Sequence, residues 1–408
     1  KVCCNQDREV IVWACMQLKE KIHEYAKEYC GFDIVGFSNV QPSSHETTVR
    51  NWVKEGYHAG MSWYERSLDK RVNPEKVFDT AKTIIMVGVN YYPFDYPEDI
   101  LNDPSRGIIA RYAVYDDYHE ILLPKLVQLK DFIEKEVGRS LEYKAYVDTG
   151  PILEREIAAR AGLGFQGRNT TLINFEYGSW VLLAELIIDV ELDDESVIAS
   201  EPGERGNLEI ASSQSLLAMT DKKSGCFSCT RCIDICPTKA ILKPGVIDSN
   251  KCISYLTIEH KGIIPLEFRK LMKNRIYGCD ICQEVCPWNK SRQKISQNKD
   301  FKARQDLFAP KLLDLFPMTQ EQFSARFKKS PIKRAKREGF LRNVLVAMGN
   351  WADPSLVKTL EIGLQDKSPV IRAHAVWALQ QVDSQESKKM LTRHRPSEMD
   401  DEVLNEFL

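Results

Sequence analysis

Apolar residues recur along this chain with two different periods, and the changes of period divide it. Residues 8–29 place apolar positions at helical spacing and predict a helix. Five stretches rich in β-branched and aromatic residues predict strands: Asp33–Val40, Thr83–Tyr92, Ile108–Val114, Leu141–Thr149 and Thr171–Val190. The last is expected to fold as a hairpin across Glu176-Tyr177-Gly178-Ser179. Helical spacing returns over 118–137 and 151–162, between strands. Such a mixture predicts an α/β or α+β catalytic-size domain in residues 1–200 and an α+β chain as a whole. Residues 191–224 lose periodicity and are rich in Glu, Ser and Gly, so 201–224 reads as a linker. Residues 225–300 carry most of the cysteines, and residues 301–408 turn helical, with helices expected at Gly339–Trp351, 355–364 and Val370–Gln380.

The string DKSPVIRAHAVWAL, from Asp366 to Leu379, resembles a HEAT-type helical repeat. Asp366 and Pro369 open the helix, Arg372 anchors the turn, and Ala375, Ala378 and Leu379 face a neighbour. About one and a half such units are visible, which predicts a short cap and not a solenoid. The final residues are polar and are expected to be partly mobile. With 43% hydrophobic and 28% charged residues, the 408-residue chain can bury a real core, which excludes a disordered or collagen-like protein. The opening segment lacks the continuous apolar core of a signal peptide, and the most apolar run, Trp180–Val190, is too short to span a bilayer. A cytoplasmic protein with no membrane contact is expected, so its twelve cysteines read as thiols, ligands or catalytic groups.

Eight of those cysteines have a diagnostic spacing. Cys226, Cys229, Cys232 and Cys236-Pro237 form C-x2-C-x2-C-x3-C-P. Downstream, Cys252 stands alone before Cys279, Cys282 and Cys286-Pro287. In two-cluster ferredoxins the fourth cysteine of such a run ligates the other cluster. The spacing therefore predicts two 4Fe–4S clusters, one on Cys226, Cys229, Cys232 and Cys286, the other on Cys236, Cys252, Cys279 and Cys282. Structural zinc prefers two paired C-x2-C knuckles, and neither half splits that way. Cys3, Cys4, Cys15 and Cys30 lack any such spacing and read as incidental or buried thiols.

The densest motif in the first 200 residues is DTGPILEREIAARAGLGFQGRNT, from Asp148 to Thr170. An Asp at a strand end beside a Gly-Pro turn is well placed for chemistry, and glycines let backbone approach a large flat ligand. On local pattern alone the same string is a capping aspartate and a helix closed by glycines. Taken with CFSCTRCIDICPTKAI, KCISYLTIEHKG, YGCDICQEVCPWN and the HEAT-like tail, it resembles the epoxyqueuosine reductase family over residues 8–385.

That resemblance implies a cobalamin-dependent iron–sulfur reductase with a catalytic domain similar to that of reductive dehalogenases. It implies reduction of epoxyqueuosine to queuosine at the wobble position of tRNA, a two-electron, two-proton loss of the epoxide oxygen. Electrons come from an external one-electron donor, and a monomer suffices. Asp148 matches the family's proposed proton donor. By motif position Arg71, Arg111, Asp148, Arg155, Asn169 and the stretch Gly278, Cys279, Asp280 and Ile281 are cobalamin contacts, with no protein His on the cobalt. Between Arg326 and Arg342 eight basic residues meet Glu338 alone, a local footprint for phosphates in a near-neutral protein. His260, Lys333, Arg334, Lys336, Arg337 and Arg342 are accordingly expected to face tRNA. Two other readings compete. A cobalamin reductase of a small molecule needs neither the basic segment nor the repeats, and an electron carrier needs no N-terminal domain.

Overall fold

The protein is described here from a computed structural model, over residues 17–192 and 225–407. The linker and residues Cys3, Cys4 and Cys15 lie outside the described residues. In chain order the strands are β1 (Ile34–Asn39), β2 (Thr83–Asn90), β3 (Ile108–Ile109), β4 (Tyr143–Tyr146), β5 (Phe165–Gln166), β6 (Leu172–Ile173), β7 (Val181–Ile188), β8 (Ile241–Lys243), β9 (Val246–Ile247) and β10 (Arg275–Tyr277). The N-terminal sheet has the order β1-β2-β7-β4 and is antiparallel throughout.

Strand β2 is buried along its whole length, which accounts for an apolar run without alternation. Successive side chains enter opposite faces. Ile84 and Met86 join Ile152, Ile157 and Leu163 in one core, while Ile85, Val87 and Val89 join the other. On that second face lie α1 (Leu18–Glu28) and α2 (Tyr118–Val137). Helix α2 begins where expected because Asp117 caps it, accepting from the His119 amide at 3.1 Å. It ends on Gly138, whose φ of +70° suits a left-handed C-cap. Its Leu122, Leu126, Leu129 and Ile133 form a fully buried stripe, each contributing roughly 1.5–3 kcal/mol. On the first face lies α3 (Glu154–Arg160).

Two expected strands take other forms. In the stretch from Ile108 to Val114 only β3 is extended; Arg111–Ala113 coils into a 3₁₀ turn as Arg111 is drawn into a buried ion pair. The expected hairpin does reverse, with Asn174 and Gly178 bridged. Its arms separate, however: β6 pairs with β5, and β7 runs between β2 and β4.

The cysteine segment is fastened to this sheet domain by the parallel pairing of β10 with β3. Beyond it stand α4 (Lys336–Trp351), α5 (Val357–Gly363), α6 (Pro369–Val382), α7 (Gln385–His394) and α8 (Asp401–Asn405). Helical packing continues through the tail, against the expectation of mobility. Met390 and Val403 enter the core, and Arg269 forks onto Glu406 with two bonds of 2.6 Å. One hydrophobic cluster runs from Ile22 to Val403 across all three parts. No helix among the described residues is long and apolar enough to cross a membrane.

Arg342 sits at the junction of α4 and the cysteine segment. It is 1% exposed and donates to the carbonyls of Leu256 at 2.6 Å and of His260 and Gly262 at 2.9 Å. Its expected contact with tRNA is therefore corrected: a guanidinium spent on three interior carbonyls has no face for a phosphate. Arg342→Met should leave those acceptors unsatisfied and cost on the order of 3 kcal/mol, read as a lowered denaturant midpoint with an unchanged slope.

Candidate active site and cluster-binding segment

Strand β4 ends at Tyr146, Val147 turns into the core, and Asp148 follows with a φ of +52°. The Thr149 amide donates back to the Val147 carbonyl at 2.8 Å, closing a tight turn. That turn projects the Asp148 carboxylate outward, with its side chain 46% exposed. Two groups from the start of α2 meet it. Tyr118 Oη donates to Oδ2, and His119 Nε2 lies 2.9 Å from Oδ1. The other imidazole nitrogen, Nδ1, lies 2.6 Å from Asp117 Oδ1. Burial alone would lower the His119 pKa; its two carboxylate partners raise it to about 10. His119 is thus an imidazolium between two carboxylates. Sequence reasoning missed Tyr118 and His119, although D-D-Y-H at 116–119 offered a His among acids at a helix start.

The loop after Asp148 is held from beneath. Arg71 stacks over the Tyr64 ring, its Cζ 4.2 Å from the centroid. Its Nη1 donates to the carbonyls of Gly150 and Ile152 at 3.3 Å. Arg155 Nη1 donates to the Thr170 carbonyl at 3.1 Å, joining the start of α3 to the glycine loop. Asn169 is buried; its Oδ1 accepts from Thr171 Oγ1 at 2.8 Å, while Nδ2 finds no partner among the described residues. A buried amide donor left open suits a bound group with amide or sulfur acceptors, such as the side chains fringing a corrin or a cluster's sulfides.

A cavity of about 190 Å³ is bounded by Cys226, Cys229, Cys232 and Cys286 together with Asn169 and Trp288. These thiols also act on one another electrostatically: Cys232 with Cys226 and Cys286, and Cys286 with Cys226 and Cys229. Cys252 likewise acts on Cys236, Cys279 on Cys252, and Cys282 on Cys279 and Cys252. Burial pushes the Cys232 thiol up to about 11 and Cys279 up to about 12. Among the described residues no three such side chains close on one point as a single-ion cage requires. The cavity among Cys226, Cys229, Cys232 and Cys286 suits a cube held at its corners, and Cys282 acts on Cys232 of that quartet as well as on Cys279 and Cys252, so the second set of thiols stands close beside the first. Cys30 is buried and belongs to neither quartet.

Gly278 precedes the second half-motif with a φ of +69°, and an added Cβ there would come within 2.4 Å of Ala110 Cβ. Its amide donates to Thr257 Oγ1 at 2.9 Å. Helix Ile281–Glu284 follows, and Asp280 binds Arg111, through the Arg111 amide at 2.8 Å and Nη1 at 3.2 Å. Arg111 also reaches Glu284 at 2.7 Å and is 2% exposed. Its expected contact with cobalamin is therefore corrected to a buried brace between sheet and cysteine segment.

The basic segment lies at the edge of the Asp148 site. The Asp117 amide donates to the Lys329 carbonyl at 2.6 Å, and Arg334 is near enough to feel the charge of Asp148. Arg334 forks onto Glu259 at 2.7 and 3.0 Å and lies over the Trp63 ring. Lys333 and Lys336 are exposed and, among the described residues, pair with no carboxylate. Arg337 is committed inward, to Met318 O at 2.7 Å and Asp366 at 2.5 Å. His260 is half-buried, its Nε2 3.0 Å from the Ile263 carbonyl, and burial lowers its pKa.

A double-cluster segment docked behind an acid-bearing site defines an iron–sulfur oxidoreductase. Three family models match, described as epoxyqueuosine reductase QueG over residues 71–149, a 4Fe-4S double cluster binding domain over 225–289, and HEAT repeats over 334–407. The epoxyqueuosine reductase of Vibrio cholerae is 38% identical over 370 residues, 90% of this chain and 92% of that protein. The chain belongs to the epoxyqueuosine reductase family. A crystal structure of an epoxyqueuosine reductase with an epoxyqueuosine-modified tRNA-Tyr stem loop superposes with a TM-score of 0.81 at 30% identity, covering 96% of each chain. The Bacillus subtilis enzyme with its catalytic loop swung out of the active site superposes with a TM-score of 0.79 at 30% identity, covering 96% of this chain and 97% of that one.

Because His119 owes its charge to Asp117 and Asp148, its imidazole should titrate far above the ordinary histidine range. In Asp148→Asn one of those carboxylates is gone, and the pKa of His119 should fall, each unit representing about 1.4 kcal/mol of lost interaction. Proton NMR of the imidazole resonances across pH checks both, and an ordinary histidine titration in the parent protein would contradict the geometry.

Proposed function

We propose that this chain reduces epoxyqueuosine to queuosine at the wobble position of tRNA. The observation that carries the reading is the seat of Asp148: a half-exposed carboxylate, held by Tyr118 and an imidazolium, with the basic segment on one side. The reaction removes one epoxide oxygen as water and leaves an alkene, consuming two electrons and two protons. Cobalamin, when bound, would supply low-valent cobalt as nucleophile or reductant, and clusters held by the eight cysteines would supply one-electron chemistry.

The chain's own residues handle the protons and the substrate. The Asp148 carboxylate relays to the departing oxygen the proton that the His119 imidazolium holds 2.9 Å from it, and the second proton reaches this half-exposed carboxylate from solvent. Arg155, Asn169 and the Gly278–Ile281 backbone hold the cofactor's rim; Arg71 acts on that site through the loop it braces. Cys226, Cys229, Cys232 and Cys286 hold one cluster, and Cys236, Cys252, Cys279 and Cys282 the other. Lys333 and Lys336, with Arg334 beside them, grip phosphates and leave the wobble base to be unstacked towards Asp148. An external one-electron donor feeds the clusters, the monomer is the working unit, and the cytoplasm is where it meets its tRNA. A small-molecule reductase has no use for the exposed lysines beside the site.

Asp148→Asn keeps the side chain's shape and removes the carboxylate that carries the proton. Single-turnover reduction of epoxyqueuosine-tRNA, followed by mass spectrometry of the nucleosides, should slow by about 10²–10⁴-fold, with tRNA and cobalamin still bound. Turnover near that of the parent would remove Asp148 from the mechanism. The double change Lys333→Glu and Lys336→Glu, which spares the structural Arg337 and Arg342, should weaken tRNA binding at low salt. The dependence of log affinity on log salt should flatten by about one for each phosphate that is no longer gripped, as filter binding across a salt series measures.

A further inference from the structure

Behind the Asp148 turn lie two carboxylates that the mechanism above does not use. Glu185 stands in the middle of β7, opposite Met86 on one side and Tyr146 on the other, and is 0% exposed. Neither of its carboxylate oxygens has a hydrogen-bond donor among the described residues, and the same is true of the buried Oε1 of Glu154 at the start of α3. The two side chains face each other. Two ionised carboxylates so placed, one wholly enclosed and the other half-buried, repel and lose hydration; a single shared proton turns the repulsion into a hydrogen bond. Burial raises both groups; the charge of Asp148 helps carry Glu154 to about 7, and the charges of Glu154 and Asp148 carry Glu185 well above the ordinary carboxyl range, while a proton on Glu185 hydrogen-bonds to Glu154 and favours the Glu154 carboxylate.

The catalytic turn rests directly on this pair. A Cβ added at Gly150 would fall 2.7 Å from Glu185 Oε1, so only bare backbone separates the turn from the carboxyl group. The other groups that act on the pair are Asp148, Arg71, Arg155, Tyr64 and Tyr146. With one proton shared, the charges balance. Arg71 and Arg155 offset Asp148 and the pair's single negative charge, while His119 offsets Asp117. Loss of the proton leaves one uncompensated negative charge beneath the Asp148 carboxylate.

We propose that Glu154 and Glu185 are a positioning pair, sharing one proton beneath the Gly150 turn, and that this proton keeps the turn and Asp148 seated. The proposal deepens the reading of Asp148 as the proton donor and rests on it. The sign follows from linkage. The seated turn binds the proton more tightly than an open, hydrated one, so seating is fully favoured below the ordinary carboxyl range. It is lost as pH rises through the raised pKa of the pair.

Hydrogen–deuterium exchange of the holoenzyme, followed by mass spectrometry of peptides spanning residues 146–153, reads the seating without any turnover. After correction for intrinsic rates, the parent protein should be most protected below about pH 4, open roughly tenfold more per pH unit from there up to the pair's raised pKa, and level off above it. Glu185→Gln replaces the shared proton with an amide donor that does not titrate, so protection should stay flat through that range. Glu154→Gln should do the same from the other side and serves if the first variant folds poorly. In either variant the alkaline fall of kcat should move upward while KM for tRNA stays unchanged. A parent curve that stays flat, or Gln variants that open along the parent curve, would overturn the proposal. Asp148→Asn separates the two readings: its undiminished turnover would refute the acid, whereas the exchange curves decide the pair.

Discussion

A single buried guanidinium sets the spacing between the sheet that presents the acid and the loop that carries the cysteines. Arg111 leaves β3 at the point where that strand pairs with β10, and its charge is enclosed by Asp280, Glu284 and the rings of Tyr92, Tyr96 and Trp180. Burying such a group is expensive, and an apolar replacement of similar volume is often no less stable. What an apolar side chain lacks is direction. Asp280 lies between Cys279 and Cys282, so the fork that holds it also fixes where those thiols stand relative to Asp148. Register is the best-attested use of a buried ion pair, and electron transfer to a fixed cofactor requires it.

Charge around the acid is arranged in balanced layers. Nearest solvent, Asp148 and Asp117 flank an imidazolium; beneath, Arg71 and Arg155 face the Glu154–Glu185 pair. Perturbed groups cluster where chemistry is done, and the antiparallel sheet explains how they come together. Because β7 is flanked by β2 and β4, a carboxylate at its centre lies beneath the loop that ends β4, although 37 residues separate Glu185 from Asp148.

What could be read from the sequence was local. The run of β2, the stripe and cap of α2 and the cysteine spacing each carry their meaning within a few residues. The roles of Arg111 and Arg342 could not be read there, because an arginine in a string is basic whether it meets phosphate or an interior carbonyl. Within the basic segment the same letters serve both ends: Lys333 and Lys336 face outward, while Arg337 turns to Asp366. His119 gains its significance from Asp148, 29 residues away, and Glu185 reads as an oddity in an apolar strand until the turn above it is seen. The arms of the 171–190 hairpin part because β7 has a stronger claim at the centre of the sheet than beside β6.

The unbroken core from Ile22 to Val403 has a mechanical consequence. Among the described residues, three segments of different architecture share one packed core, from the sheet that bears Asp148 to the helices beside the exposed lysines. A shared core of this kind confines motion to local turns such as the one at Asp148. On the proposed docking, with phosphates at Lys333 and Lys336, the span from there to Asp148 is set by that core, so the adjustment falls to the nucleic acid, whose backbone must bend and whose base must leave its stack.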